Sequence, residues 1–202
     1  GLDAEAGYTV LDALKGQIPV REAIRQTQLC GLLSSDITLS STGLELVRGQ
    51  RRESILRDTL QPVLGEYDYV VIDTPPALNL LTVNAYAVSD YLVIPMASDI
   101  LSLVGLSQLK ETVESVQSQL NPRLKVLGIL LTRFNGRTCL ARDVLEMAQQ
   151  LADQMNTRVF DAKIRNGVAI AEAPAHGESI FTYNPRSSAV RAYKDFVQET
   201  AG

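Results

Sequence analysis

Along this chain, apolar runs of strand length alternate with segments whose apolar residues recur every three or four positions. That alternation predicts an α/β fold with a doubly wound, mostly parallel sheet and helices on both faces. Tyr69-Val70-Val71-Ile72-Asp73, Tyr91 to Met96 and Lys125 to Thr132 read as three buried strands, apolar on both pleat faces as covered parallel strands are. A helix is expected from about Thr42 to Leu64, with Leu44, Val47, Ile55, Leu56 and Val63 on its apolar face. A second carries the stripe Leu103, Leu106, Leu109, Val113, Val116 and Leu120, and Asn121-Pro122 ends it. A third spans about Thr138 to Met155 through Leu140, Val144, Leu145, Ala148 and Leu151, and a last one about Ser187 to Thr200 through Val190, Tyr193 and Val197. With no internal repeat, low-complexity tract or long linker, residues 1–202 are expected to form one domain.

Composition narrows the function classes. Apolar residues make up 46% of the chain and charged residues 21%, enough to bury a core and too apolar for disorder. No apolar run approaches the roughly 20 residues of a membrane span, and the first residues lack the basic and apolar regions of a secretory signal. Cys30 and Cys139 are far apart and form neither a disulfide framework nor a CxxC pair, which points to a reducing, cytoplasmic setting. The single His176 excludes a zinc site built on several histidines and argues against a Ser-His-Asp triad. The net charge of −4 is uneven: residues 1–122 carry −7 and residues 123–202 carry +3. A basic C-terminal half suits a local anion-binding face, and equally a solvated surface of mixed charge.

The most informative local pattern is the apolar run Tyr69 to Ile72 closed by Asp73 and followed by Thr74-Pro75-Pro76. Ligands of open α/β sheets bind beyond the carboxyl ends of the strands, so a carboxylate there sits where chemistry happens. This is the form of a Walker B element, whose carboxylate holds Mg²⁺ through water or orients the attacking water; taken alone, it could equally be an Asp that opens a turn. The matching phosphate cradle, G-x-x-x-x-G-K-[ST], does not occur in the chain.

Several ordered motifs together carry a family resemblance. Tyr67-Asp68-Tyr69-Val70-Val71-Ile72-Asp73-Thr74-Pro75-Pro76-Ala77-Leu78-Asn79, continuing to Ala85, resembles the Walker B and second switch region of the ParA/Soj partitioning ATPases, relatives of MinD. Gly105 to Leu109 resembles the start of a family helix, Leu130 to Thr138 a strand and its following loop, and Ala171-Glu172-Ala173-Pro174-Ala175-His176-Gly177 the SEAPSHG-like segment. Upstream, Ser34 to Leu39 and Leu44-Glu45-Leu46 are similar to the stretch that precedes the family's Walker B. The resemblance spans essentially all 202 residues.

The resemblance implies a role for each matching residue. Asp73 matches the Walker B carboxylate near Mg²⁺ and the γ-phosphate, and Thr74-Pro75-Pro76 the switch that senses hydrolysis. Thr132-Arg133 and Lys163-Ile164-Arg165 match two segments that wall the adenine pocket, although Arg165-Asn166-Gly167 stands where many members have Pro-Arg-Asn. Arg137 matches an arginine that contacts DNA, a second such position falls on Ala169, and Lys163 or Arg165 could compensate. His176 is expected to order the turn before Gly177 and Glu172 to anchor a helix or loop. The family implies MgATP binding, a homodimer, sequence-independent DNA binding on the nucleoid and release by a ParB-like partner that triggers hydrolysis. The first strand, the Walker A loop, its helix and the second strand of the family have no counterpart here, so this polypeptide alone is expected to bind MgATP weakly and not to hydrolyse it. A non-catalytic chain acting only through a partner or DNA face is the alternative. No cysteine setting suits an iron–sulfur branch of the superfamily, and the balanced charge of residues 189–202 does not suit a MinD-like membrane helix.

Overall fold

The computed structural model describes residues 7–35, 39, 52–75 and 77–201. Contacts divide the chain into two compact units, one over residues 2–89 and 115–123, the other over residues 90–114 and 124–202.

The first unit begins with two short helices, α1 (Val10–Leu14) and α2 (Val20–Ala23), and an antiparallel pair, β1 (Ile24–Gln26) and β2 (Gly31–Leu33), in the register Ile24 opposite Leu33. Of the helix expected over residues 42–64, the described part is α3 (Ile55–Leu60) and a 3₁₀ turn, Leu64–Glu66; residues 40–51 lie outside the described residues. The core joins Ala13, Val20, Ala23, Leu60 and Val63, with Leu56, Tyr67 and Ile72 packed against it. Helix α4 (Leu80–Val88) starts at Asn79, whose side chain accepts from the backbone N–H groups of Leu81 and Thr82 at 3.0 and 3.3 Å.

Two buried amides hold this unit. Asn84 donates to the carbonyls of Arg52 and Leu80 at 2.8 and 2.9 Å and accepts from the N–H of Leu56 at 3.1 Å, which ties α4 to the start of α3. Asn121 donates to the carbonyls of Tyr86 and Ser89 at 3.0 and 2.7 Å, so the residue expected only to end a helix also satisfies the end of α4.

The expected buried strand at Tyr69 to Asp73 is not formed. These residues enter no ladder with any described segment; Tyr69 and Val71 are 88% and 92% exposed, and only Ile72 turns inward. A β-branched run favours extension, but a strand exists only where a neighbour takes up its N–H and C=O groups.

The second unit is an α/β layer. Strands β3 (Tyr91–Ala97) and β4 (Lys125–Thr132) pair in parallel, as expected, with an irregularity between Leu92 and Val93. The connecting helix α5 (Ile100–Gln119) supplies Leu103 and Leu106 to the core, and its residues 115–119 count with the first unit. On the far edge of β4, Val159 forms a parallel bridge with Ile129. Helix α6 (Cys139–Gln154) lays Val144, Ala148 and Ala152 on Ile129 and Leu131; small side chains let the helix approach the sheet closely, whereas Leu140, expected on this face, is 47% exposed. Helices α7 (Val168–Ala175), α8 (Ile180–Tyr183) and α9 (Ser188–Ala201) follow. The inward face of α9 carries Val190, Tyr193 and Phe196 rather than Val197, because the Phe196 ring meets Phe160 edge-on at 5.0 Å.

Gly128, buried in β4, lies close against the segment that carries Arg158 and Phe160. A Cβ there would lie 2.7 Å from Cε2 of Phe160, a side chain with no exposure, and 3.0 Å from the Arg158 carbonyl oxygen. Gly128→Ala is therefore expected to destabilise the protein by roughly 1–3 kcal/mol through overpacking, read as a lowered denaturation midpoint; an unchanged midpoint would contradict this contact.

Candidate functional site

Asp73 lies in the first unit, directly after the apolar run, and is exposed. Among the described residues no hydrogen bond or ion pair engages its carboxylate. Thr74 is half-buried and Pro75 exposed; Pro76 lies outside the described residues. No three carboxylate, imidazole or thiol groups cluster as a metal site among the described residues. A single free carboxylate fits Mg²⁺, a hard cation that keeps waters and takes its other ligands from substrate phosphates.

The other expected nucleotide-site residues belong to the second unit and gather at the carboxyl end of β4. Thr132 is half-buried, and its carbonyl accepts from the Ser98 hydroxyl at 3.3 Å. Arg133 follows with φ 51°, a left-handed conformation that costs a side-chain-bearing residue about 1–2 kcal/mol. Its neighbour Phe134 donates its N–H to the carbonyl of Ile164 at 3.1 Å, so the structure brings the Thr132-Arg133 and Lys163-Ile164-Arg165 segments side by side. Ile164 is 3% exposed and packs with Leu130 and Phe160, which leaves Arg165 as the exposed side chain of its segment.

The three basic residues expected to meet DNA are not equivalent. Arg137 is exposed on the loop before α6; Asn135 accepts its N–H at 3.3 Å, and Thr138 caps the helix by accepting from Ala141 at 3.2 Å. Arg165 is exposed as well. Lys163 is half-buried: its ammonium donates to the carbonyls of Phe160 and Asp161 at 3.4 and 3.2 Å and lies 5.9 Å from the centre of the Phe134 ring. Its charge is used inside the loop. Nothing in the periodicity signals that commitment.

The segment Ala171 to Gly177 forms the end of α7. Gly177, at φ 66°, donates to the carbonyl of Pro174 and Glu178 donates to that of Ala173, both at 3.0 Å, the paired closure that a left-handed glycine allows. His176 stacks on Tyr183 with ring centres 5.3 Å apart, and the Tyr183 hydroxyl donates to Glu172 at 2.9 Å. His176 and Glu172 thus order the corner between α7 and α8. The hydrogen bond to Glu172 holds the Tyr183 phenol above its ordinary range, with slight burial and the Glu172 and Glu178 charges adding to it.

Comparison with known proteins places the chain. Residues 2–126 match the family model of an AAA domain. The chromosome partitioning protein ParA of Caulobacter vibrioides is 37% identical over 195 residues, 95% of this chain and 72% of that protein. The sporulation initiation inhibitor protein Soj of Bacillus subtilis is 38% identical over 200 residues, 98% of this chain and 78% of that protein. Among solved structures, cobyrinic acid a,c-diamide synthase from Mycobacterium smegmatis with bound ADP and magnesium is similar with a TM-score of 0.74 at 31% identity, over 83% of this chain and 68% of that one. Apo McdA from Cyanothece, with a TM-score of 0.87 at 20% identity over 99% of this chain and 81% of that one, shares the fold.

The corner at Glu172 yields a pH prediction. A phenol whose pKa is raised by folding adds stability that is complete below its unfolded pKa of about 10 and is lost as pH rises through the folded value. Glu172→Gln removes the charge while keeping the shape, so the Tyr183 titration followed by NMR is expected to move down towards the ordinary range. An unmoved titration would contradict the assignment.

Proposed function

The chain belongs to the ParA/Soj family of partitioning ATPases, a branch of the P-loop NTPases that includes MinD, and on that premise we propose that it works as a nucleotide-driven switch in DNA segregation. In this reading residues 1–202 belong to a single ATPase domain, the ATP-bound protein dimerises and coats the nucleoid without regard to sequence, and a ParB-like partner releases it by triggering hydrolysis. The observation that carries the reading is Asp73, a free, exposed carboxylate following an apolar run, in a chain 37–38% identical to ParA of Caulobacter vibrioides and Soj of Bacillus subtilis.

The residues take distinct parts. Mg²⁺, when bound, neutralises charge that builds on the phosphate oxygens during transfer. Asp73 would hold the ion through water or orient the attacking water, and Thr74 and Pro75 would respond to the state of the γ-phosphate. Thr132, Arg133 and Arg165 line the base of the nucleotide, with Ile164 holding that wall from beneath. Arg137 and Arg165 present guanidinium groups to phosphates of DNA, which position the protein without reading sequence. Lys163, engaged with the carbonyls of its own loop, supports this surface from within.

Two variants of the full-length gene product test the reading. Asp73→Ala is expected to lower ATP turnover by orders of magnitude and leave the fold intact, because the group acts on charge in the transition state. Unchanged turnover would remove the Walker B role. Arg137→Glu is expected to weaken binding to unrelated duplexes alike and make the dependence of affinity on salt shallower. Equal affinity at low salt would leave the basic half as a solvated surface.

A further inference from the structure

Beyond β4, the parallel segment that follows α6 changes register, and one acidic residue of α9 sits at the change. The N–H of Ile129 donates to the Arg158 carbonyl at 2.8 Å and the N–H of Phe160 to the Ile129 carbonyl at 3.0 Å. A regular parallel ladder would next bring the N–H of Ala162 to the carbonyl of Leu131. Instead the N–H of Ile164 donates there, at 2.9 Å. Two extra residues have entered the strand, as in a β-bulge; the amide of Ala162 loses its partner in the ladder, and that of Asp161, which faces away from β4, has none there.

Both amides are recovered by a single carboxylate. Glu199, in the last turn of α9, accepts from the N–H of Asp161 at 2.8 Å and from that of Ala162 at 2.6 Å. Its own carbonyl accepts from the Arg158 guanidinium at 2.6 Å, which fixes its position along the helix. On the other side of the bulge, Lys163 takes up the carbonyls of Phe160 and Asp161. Ala162 and Ile164 are 8% and 3% exposed, and two-residue spacing puts them on the same face. A slip of two residues would keep an apolar residue on the buried face, so the alternation does not distinguish the registers, although it would put Ala162 where Ile164 packs against Leu130 and Phe160 and so lose burial.

We propose that Glu199 is the positioning residue that, together with the burial of Ile164, holds this register and so sets where Ile164 and Arg165 stand beside Thr132 and Arg133. The inference rests on the reading of that segment as a wall of the nucleotide site. Slipping by two residues would carry Arg165 roughly 6–7 Å along the strand, out of reach of a bound base.

The test uses the full-length gene product with Glu199→Gln, nearly isosteric but with an amide that opposes one of the two N–H groups, and Glu199→Asp, which keeps both oxygens on a shorter stem. Amide exchange at Asp161 and Ala162 by NMR and steady-state ATP kinetics are the readouts, with Arg165→Ala alone and combined with Glu199→Gln as references. Glu199→Gln is expected to speed exchange at both amides and raise KM for ATP roughly tenfold at unchanged kcat, with Glu199→Asp intermediate. The double variant should be no worse than Arg165→Ala alone, since both act through one group. Unaltered exchange in Glu199→Gln would overturn the proposal. So would faster exchange with unaltered KM while Arg165→Ala raises KM, an outcome that leaves the nucleotide-wall reading standing. If neither Glu199→Gln nor Arg165→Ala moves KM, that reading fails and the proposal falls with it. Thermal melts check folding, and Glu199→Asp keeps the comparison open if Glu199→Gln unfolds.

Discussion

Strand β4 is the part of the second unit on which the rest depends, because its backbone is paired along both edges. On one edge it carries the parallel ladder to β3, and on the other it bonds to Arg158, Phe160 and Ile164. A strand paired on both sides and packed under α6 has little freedom to shift, so the residues at its carboxyl end inherit its position. Thr132 and Arg133 are delivered there by the strand, and Ile164 is delivered by the ladder to it. The cost of this closeness falls on Gly128, where any side chain would meet Phe160 and the Arg158 carbonyl.

In the first unit, polar groups do comparable work. The amides of Asn84 and Asn121 reach backbone groups that helix and turn ends leave without partners, and both are buried at 6% and 8% exposure. A buried amide stabilises only where its partners are in place, and removing it would strand carbonyls and an N–H together. Their value is therefore less in gross energy than in fixing which turn faces which helix.

Electrostatics divides the candidate residues by use. Asp73, Arg137 and Arg165 keep their charges in solvent, where a ligand can reach them, whereas Lys163 and Glu199 spend theirs on backbone carbonyls and amides of one bulge. A charge held by several backbone groups is poorly placed to leave for a ligand, which is why three basic residues in one half of the sequence do not form a uniform patch.

The sequence by itself determined the α/β class, strand β4 to the residue, strand β3 to within one, and the helices around Leu103, Val144 and Val190, because burial against a sheet imposes periods that any chain must display. It also determined the family, since several motifs in order are far more specific than one strand ending in Asp. Tertiary structure alone decided the rest. Whether Tyr69 to Ile72 forms a strand depends on a neighbouring backbone, and propensity carries no information about that neighbour. Which face of α9 turns inward was decided by the ring of Phe160, not by the spacing of Val190, Tyr193 and Val197. The register of residues 158–164 could not be read at all, because slipping by two residues preserves the alternation of apolar positions, and the groups that distinguish the two pairings, the Glu199 carboxylate thirty-seven residues from Ala162 and the packing around Ile164, are brought together only by the fold.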